Sequence, residues 1–204
     1  MKCRTALAAA AAFLSLTGAA LAADVYTIDT AHSSVGFAIS HLGINVVRGT
    51  FADVSGAIVY DELDITRSKV TATIAAAGIT TNNARRDTHL RSQAFFDVER
   101  FPDITFESLR VEPQRHQLVC IGTLTMRGVS KEIVIPFKIT GKAQDTRGQA
   151  RLGIAAELTL DRQEYGISWN KAVEGGMMIG NRVRVTLDIE AVRQPPTPPL
   201  AGGS

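Results

Sequence analysis

The sequence has little with which to cross-link itself or to do chemistry. It contains two cysteines, Cys3 and Cys120. Cys3 falls in a leader-like N-terminus, so Cys120 has no partner for an internal disulfide and the fold must rest on its core. Cys120 itself sits in an apolar strand-like run and reads as a small core residue. No H-E-x-x-H, no C-x-x-C and no acidic cluster with metal-ligand spacing occurs, so no metal site is expected. There is no G-x-S-x-G and no phosphate-loop pattern. The S-x-x-K string at Ser168–Lys171 lacks both a helix and a K-T-G companion. The expectation is a protein that binds rather than catalyses, with no cofactor.

Net charge is equally scarce. The 22 basic residues exceed the 20 acidic ones only through Lys2 and Arg4. Both lie before an Ala- and Leu-rich run, Ala6 to Leu16, that ends in Ala20-Leu21-Ala22. This reads as a cleavable signal peptide over residues 1–22, implying export to the periplasm. The apolar run is too short for a stable membrane span. What remains is electrically balanced, so nucleic-acid binding loses its usual support. Any anion site must come from local clustering.

What is abundant is period-two alternation, the mark of strands with one buried face. Val35, Phe37 and Ile39 alternate with Gly36, Ala38 and Ser40; Leu152 to Leu160 and Val183 to Ile189 repeat the pattern. Further strands are expected over 24–29, 46–60, 70–74, 103–112, 116–126 and 131–141. No βαβ rhythm appears, so an antiparallel barrel or sandwich follows. Small residues recur at Ala75–Gly78 and at Gly153, Ala155 and Ala156. Facing inward they would leave a barrel hollow enough for a ligand. Facing outward they would sit under a covering element.

One stretch breaks the alternation, Thr80 to Phe106. It holds a basic cluster of Arg85, Arg86 and Arg91 with His89, followed by Phe95, Phe96, Phe101 and Phe106. A short helix is expected over Ala84–Ser92, capped by Asn82 or Asn83, with Asp87–Arg91 and Arg85–His89 at i,i+4. Such a segment suits either an anionic head group beside an apolar tail or a plain surface helix. A second irregular segment, 163–180, carries Trp169 and a Gly175-Gly176 loop. Met177 and Met178 could line an apolar mouth there. The Pro-rich tail 194–204 is expected to stay out of the sheet.

Several motifs, in order, resemble the YceI-like family. They are D-x-x-H-S-x-V-x-F-x-x-x-H (Asp29 to His41) and G-x-F (Gly49 to Phe51). The middle set is Thr80, Asn82, Arg86, Asp87, His89, Leu90, Arg91, Ser92, Phe95, Phe96 and Asp97, with F-P-x-I-x-F from Phe101 to Phe106. Next come G-x-L-T-x-R-G-V (Gly122 to Val129), R-x-x-Y-G-I (Arg162 to Ile167) and G-x-x-V-x-V-x-L-D-I-E-A (Gly180 to Ala191). The resemblance implies one domain over 23–193, an all-β, eight-stranded antiparallel lipocalin-like barrel with an apolar interior cavity. It also implies a periplasmic binder or carrier of a long isoprenoid lipid, either a polyprenyl phosphate or an isoprenoid quinone. The tail would lie among Phe37, Ile74, Phe106, Ile154 and Leu187, with Phe95 and Trp169 near the entrance. The head group would meet Arg85, Arg86, His89 and Arg162. A membrane b-type cytochrome or a second copy of the chain are further partners to consider, and a lipid-modifying enzyme is the remaining alternative.

Overall fold

The computed structural model describes residues 23–195. The expected signal peptide, and the tail beyond Pro195, lie outside the described residues. The strands are β1 (Asp24–Ile28), β2 (Ser34–His41), β3 (Asn45–Phe51), β4 (Val54–Tyr60), β5 (Lys69–Ala75), β6 (Ile79–Thr80), β7 (Asp103–Gln114), β8 (Gln117–Met126), β9 (Val129–Gln144), β10 (Ala150–Asp161), β11 (Ala172–Val173), β12 (Gly176–Met177) and β13 (Ile179–Arg193); the helix α1 spans Ala84–Arg91.

Eight strands, in the order β1-β4-β5-β7-β8-β9-β10-β13, close into an antiparallel barrel because β13 returns to pair with β1. Closure leaves these strands without free edges, which removes the hazard of an open sheet. β13 is long enough to serve two neighbours. Its residues from Ile179 to Asp188 pair with β2, and Ala191 to Arg193 pair with β1. β2, β3 and β6 thus form a flap continuous with the barrel wall. The small hairpin β11–β12 stands beside it.

The stretch 46–60, expected as one strand, is two. Phe51 pairs with Ile79 in the flap, whereas Val54 pairs with Ile74 in the barrel. The chain changes partner at Ala52 and Asp53. There the Ala52 amide donates to the Gly78 carbonyl, and the Asp53 carbonyl accepts from the Ala75 amide. Alternation continues straight through such a bend, so periodicity does not reveal it.

Inward positions follow the alternation in the sequence. Along β10 they are Leu152, Ile154, Ala156, Leu158 and Leu160, and along β13 Val185, Leu187 and Ile189. Leu152 is fully buried, a contribution of about 2 kcal/mol for one such side chain. The small residues divide. Ala156 faces the interior, Ala155 lines an outer groove among Lys138, Glu157 and Asp188, and Ala76–Gly78 form a tight turn between β5 and β6 with Ala76 buried in the core. Two glycines are required by close approach. A Cβ on Gly122 would stand 2.5 Å from the Phe106 ring, which lies across it inside the barrel, and one on Gly49 would strike the Phe37 ring.

Candidate functional site

The barrel interior holds a cavity of about 210 Å³. Four successive inward positions of β10, from Ile154 to Leu160, line it, so it runs lengthwise for about 20 Å at the usual strand rise. Among the described residues, no charged one lines it; Ser68, Tyr60 and Cys120 supply the polar side-chain atoms, and the exposed wall is apolar. Of the residues expected around a tail, Ile74, Phe106, Ile154 and Leu187 line this cavity. Phe37 stands one layer out, its ring 5.8 Å from that of Phe51, which does line it. Sequence reasoning passed over Phe51, Ile58, Ile104, Leu124 and Ile135. Each lies on an inward register that alternation marks, but alternation does not say which inward residues meet empty space.

Burial pushes the Cys120 thiol up to about 11, because a thiolate is poorly solvated in an apolar wall. It is therefore held as an unreactive thiol at neutral pH.

One end of the barrel carries the segment that breaks the alternation. Asn83 caps α1, accepting from the Arg86 amide at 3.0 Å, while Asn82 takes a left-handed φ of 58° that turns the chain into the helix. The expected i,i+4 pairs do not form. Asp87 accepts instead from the Thr81 amide (2.8 Å), the Thr81 hydroxyl (2.5 Å) and the Thr80 hydroxyl (3.3 Å). The Thr81 hydroxyl bond leads in holding the Asp87 carboxyl below the usual range. Arg91 donates to the carbonyls of Ala77 and Ile79, both at 2.8 Å. Arg86 donates to the Thr81 hydroxyl and carbonyl at 2.7 and 3.0 Å. These arginines tie the helix to the β5–β6 turn, to β6 and to Thr81 just after it, satisfying backbone carbonyls there.

Arg162 is used in the same way, more deeply. It is 4 % exposed, and it donates to the carbonyls of Ile167 (2.6 Å), Trp169 (2.9 Å) and Gly180 (2.9 Å) and to Asn181 Oδ1 (3.3 Å). Burial lowers its pKa, against the opposing pull of Asp161. His89 is exposed but not isolated. Its ring lies edge-on to Phe95 and to Trp169, with centroids 4.9 Å away in each case. Phe95 and Trp169 are themselves 5.3 Å apart. Phe96 in turn meets Phe51 edge-to-face at 5.6 Å, which seats the helical segment on the cavity wall. Arg85 is exposed and, among the described residues, its side chain makes no hydrogen bond or ion pair.

The Asp29 motif serves closure. Asp29, His32 and Glu190 place one ligand atom each within 4.8 Å, a spacing that could hold a cation. Arg151 occupies that position. Its guanidinium donates to Asp29 at 2.7 Å, to Glu190 at 2.5 Å and to Asp145 at 3.1 Å. Arg151 first, then His32, hold the Asp29 carboxyl at a pKa of about 2. The Ser33 hydroxyl bonds the Glu190 backbone nearby. This knot ties the β1–β2 turn to β13 where β13 changes partner.

Comparisons with known proteins agree with the barrel. The YceI-like domain matches residues 26–191. Protein YceI of Salmonella arizonae is 35 % identical over 186 residues, covering 90 % of this chain and 94 % of that protein. A crystal structure of the Campylobacter jejuni YceI protein superposes with a TM-score of 0.66 at 28 % identity, covering 76 % of this chain and 90 % of the other. A polyisoprenoid binding domain from Saccharophagus degradans, implicated in plant cell wall breakdown, shares the fold. Its TM-score is 0.63 at 15 % identity, covering 83 % of this chain and 98 % of that one. By domain match and by close relatives over nearly its whole length, this chain belongs to the YceI-like family.

Proposed function

We propose that this chain is a non-enzymatic binding protein that carries a long isoprenoid lipid, a polyprenyl phosphate or an isoprenoid quinone, inside its barrel. The observation that carries this reading is the lengthwise cavity, which no charged residue among the described ones lines. Its volume of about 210 Å³ exceeds the roughly 150 Å³ at which a dry apolar cavity already takes up a benzene-sized guest. Each methylene moved from water into such a wall contributes about 0.8 kcal/mol, so chain length supplies affinity without a specific polar contact. The fold shared with a polyisoprenoid binding domain supports the same ligand class. The protonated Cys120 thiol supports binding over catalysis. Arg86 and Arg162 are committed to backbone oxygens, so Arg85 is the guanidinium of that end best placed to meet an anionic head group. The reading includes export to the periplasm, for which the leader-like residues 1–22 are the support.

The test is extraction of the natively purified protein with organic solvent, followed by mass spectrometry. One long-chain isoprenoid species at near-equimolar amount is expected. A chain that carries no lipid and takes up neither added quinone nor polyprenyl phosphate overturns the proposal.

A further inference from the structure

The flap formed by β2 and β3 ends in a tip that a water-soluble barrel has no reason to display. Ile44, in the turn, is 86 % exposed; Leu42 is 42 % exposed and Val46 39 %. Met177, on the neighbouring β11–β12 hairpin, is 55 % exposed. The two hairpins are fastened together, since the Leu42 amide donates to the Met178 carbonyl at 2.8 Å. Their exposed apolar side chains are therefore carried on one shared support.

Two further observations say what the patch meets. The first is charge. Arg48 and Arg184 flank Ala38 in register on the outer face, two residues along β3 from Val46, and both are exposed. Lys171 is exposed beside the second hairpin, its carbonyl bonded by the Met178 amide. The acid of that hairpin is Glu174 alone. Apolar tips ringed by basic side chains match a bilayer surface that carries anionic headgroups. The second observation is continuity. Val35 and Phe51, at the base of the flap, line the cavity. Phe37 packs on Phe51, and the pair Ile39–Val47 continues the same inner face toward the tip. An apolar track thus leads from the cavity along the inner face of the flap to Ile39 and Val47, one cross-strand pair (His41–Asn45) short of the turn.

We propose that the β2–β3 tip, with the β11–β12 hairpin, is the surface by which the protein docks on an anionic phospholipid bilayer, so that a lipid chain passes along the inner face of the flap into the barrel. This rests on the lipid-carrier reading above. Docking itself is measured separately from lipid content.

The experiment is co-sedimentation of the full barrel with vesicles of phosphatidylcholine alone and of equimolar phosphatidylcholine and phosphatidylglycerol. Binding is expected only to the anionic vesicles and is expected to weaken with added salt. Ile44→Asp should reduce it roughly tenfold or more, the loss of one buried apolar side chain. Leu63→Asp, at a 75 % exposed position in the β4–β5 connection, should leave it unchanged. Both positions are exposed, so folding is not at stake. Equal binding by Ile44→Asp and the parent chain overturns the proposal. So does a dimer that Ile44→Asp dissociates without any vesicle binding, because the tip would then join two copies. Lipid extracted from the same samples reports on the carrier reading. Vesicle binding that depends on Ile44 in a chain with an empty cavity sinks that reading and leaves the docking surface standing.

Discussion

The Arg162 guanidinium donates to the carbonyl of Trp169 at 2.9 Å and to that of Gly180 at the same distance. Two segments separated in sequence are thereby held by one buried charge. One carries Trp169, whose ring packs on Phe95 and His89; the other begins β13. Replacing Arg162 by methionine keeps the volume but strands the carbonyls of Ile167, Trp169 and Gly180. A loss on the order of 3 kcal/mol is expected in chemical denaturation. Trp169 emission should shift red before global unfolding, because its ring loses its seat on Phe95.

Cavity-filling tests the binding reading without dismantling the fold. Ala156 lines the cavity and has room before it. Ala156→Phe should leave the melting temperature close to that of the parent chain. Co-purifying lipid should fall several-fold when quantified by mass spectrometry. Gly122→Val is the opposing case. Its new side chain meets both the Phe106 ring and the Glu107 carbonyl at 2.5 Å. A cost of about 3 kcal/mol is expected, and Phe106→Ala should rescue it only in part, because the backbone clash remains.

The Asp29–Arg151 knot predicts an acid limit. Asp29 titrates at about 2 in the folded chain, below its ordinary value of 3.8. A group with a depressed folded pKa stabilises the fold fully above its unfolded pKa and loses that contribution as pH falls through the folded one. Stability measured by urea unfolding should therefore decline between about pH 4 and pH 2. Arg151→Met should already be less stable than the parent chain at neutral pH, with a smaller further decline on acidification.

The Tyr165 hydroxyl is buried, at 1 % residue exposure, and has no hydrogen-bond partner among the described residues. Burial raises its pKa, so it stays protonated. Tyr165→Phe should be neutral or stabilising by about 1 kcal/mol. A measured loss of stability would place a water or a ligand atom against that oxygen.

The Cys120 thiol gives a probe of occupancy. With Cys3 replaced by serine, reaction with a small aromatic disulfide at neutral pH should be slow and should accelerate on unfolding, as burial and the raised pKa require. Lipid removal should speed reaction of the folded chain with an apolar maleimide, since the thiol faces the cavity.

Much of this was legible in the sequence. Period-two alternation is a local property, and it put Ile154, Ala156, Leu187 and Ile189 on one face before any partner strand was known. The order of motifs pointed to the eight-stranded barrel, and the capping Asn83 with α1 stands where local helix signals placed it. The tertiary structure decided what no local pattern contains. The bend between Phe51 and Val54 depends on which strands meet each side of it. Arg86 and Arg162 stand among the expected head-group residues, yet they satisfy backbone oxygens that only folding brings near, because a buried carbonyl without a donor costs more than an exposed guanidinium gains. The cavity belongs to that second class as well. Alternation tells which side chains turn inward; whether they fill the space between them is set by the barrel's closure, and here they leave a lengthwise gap.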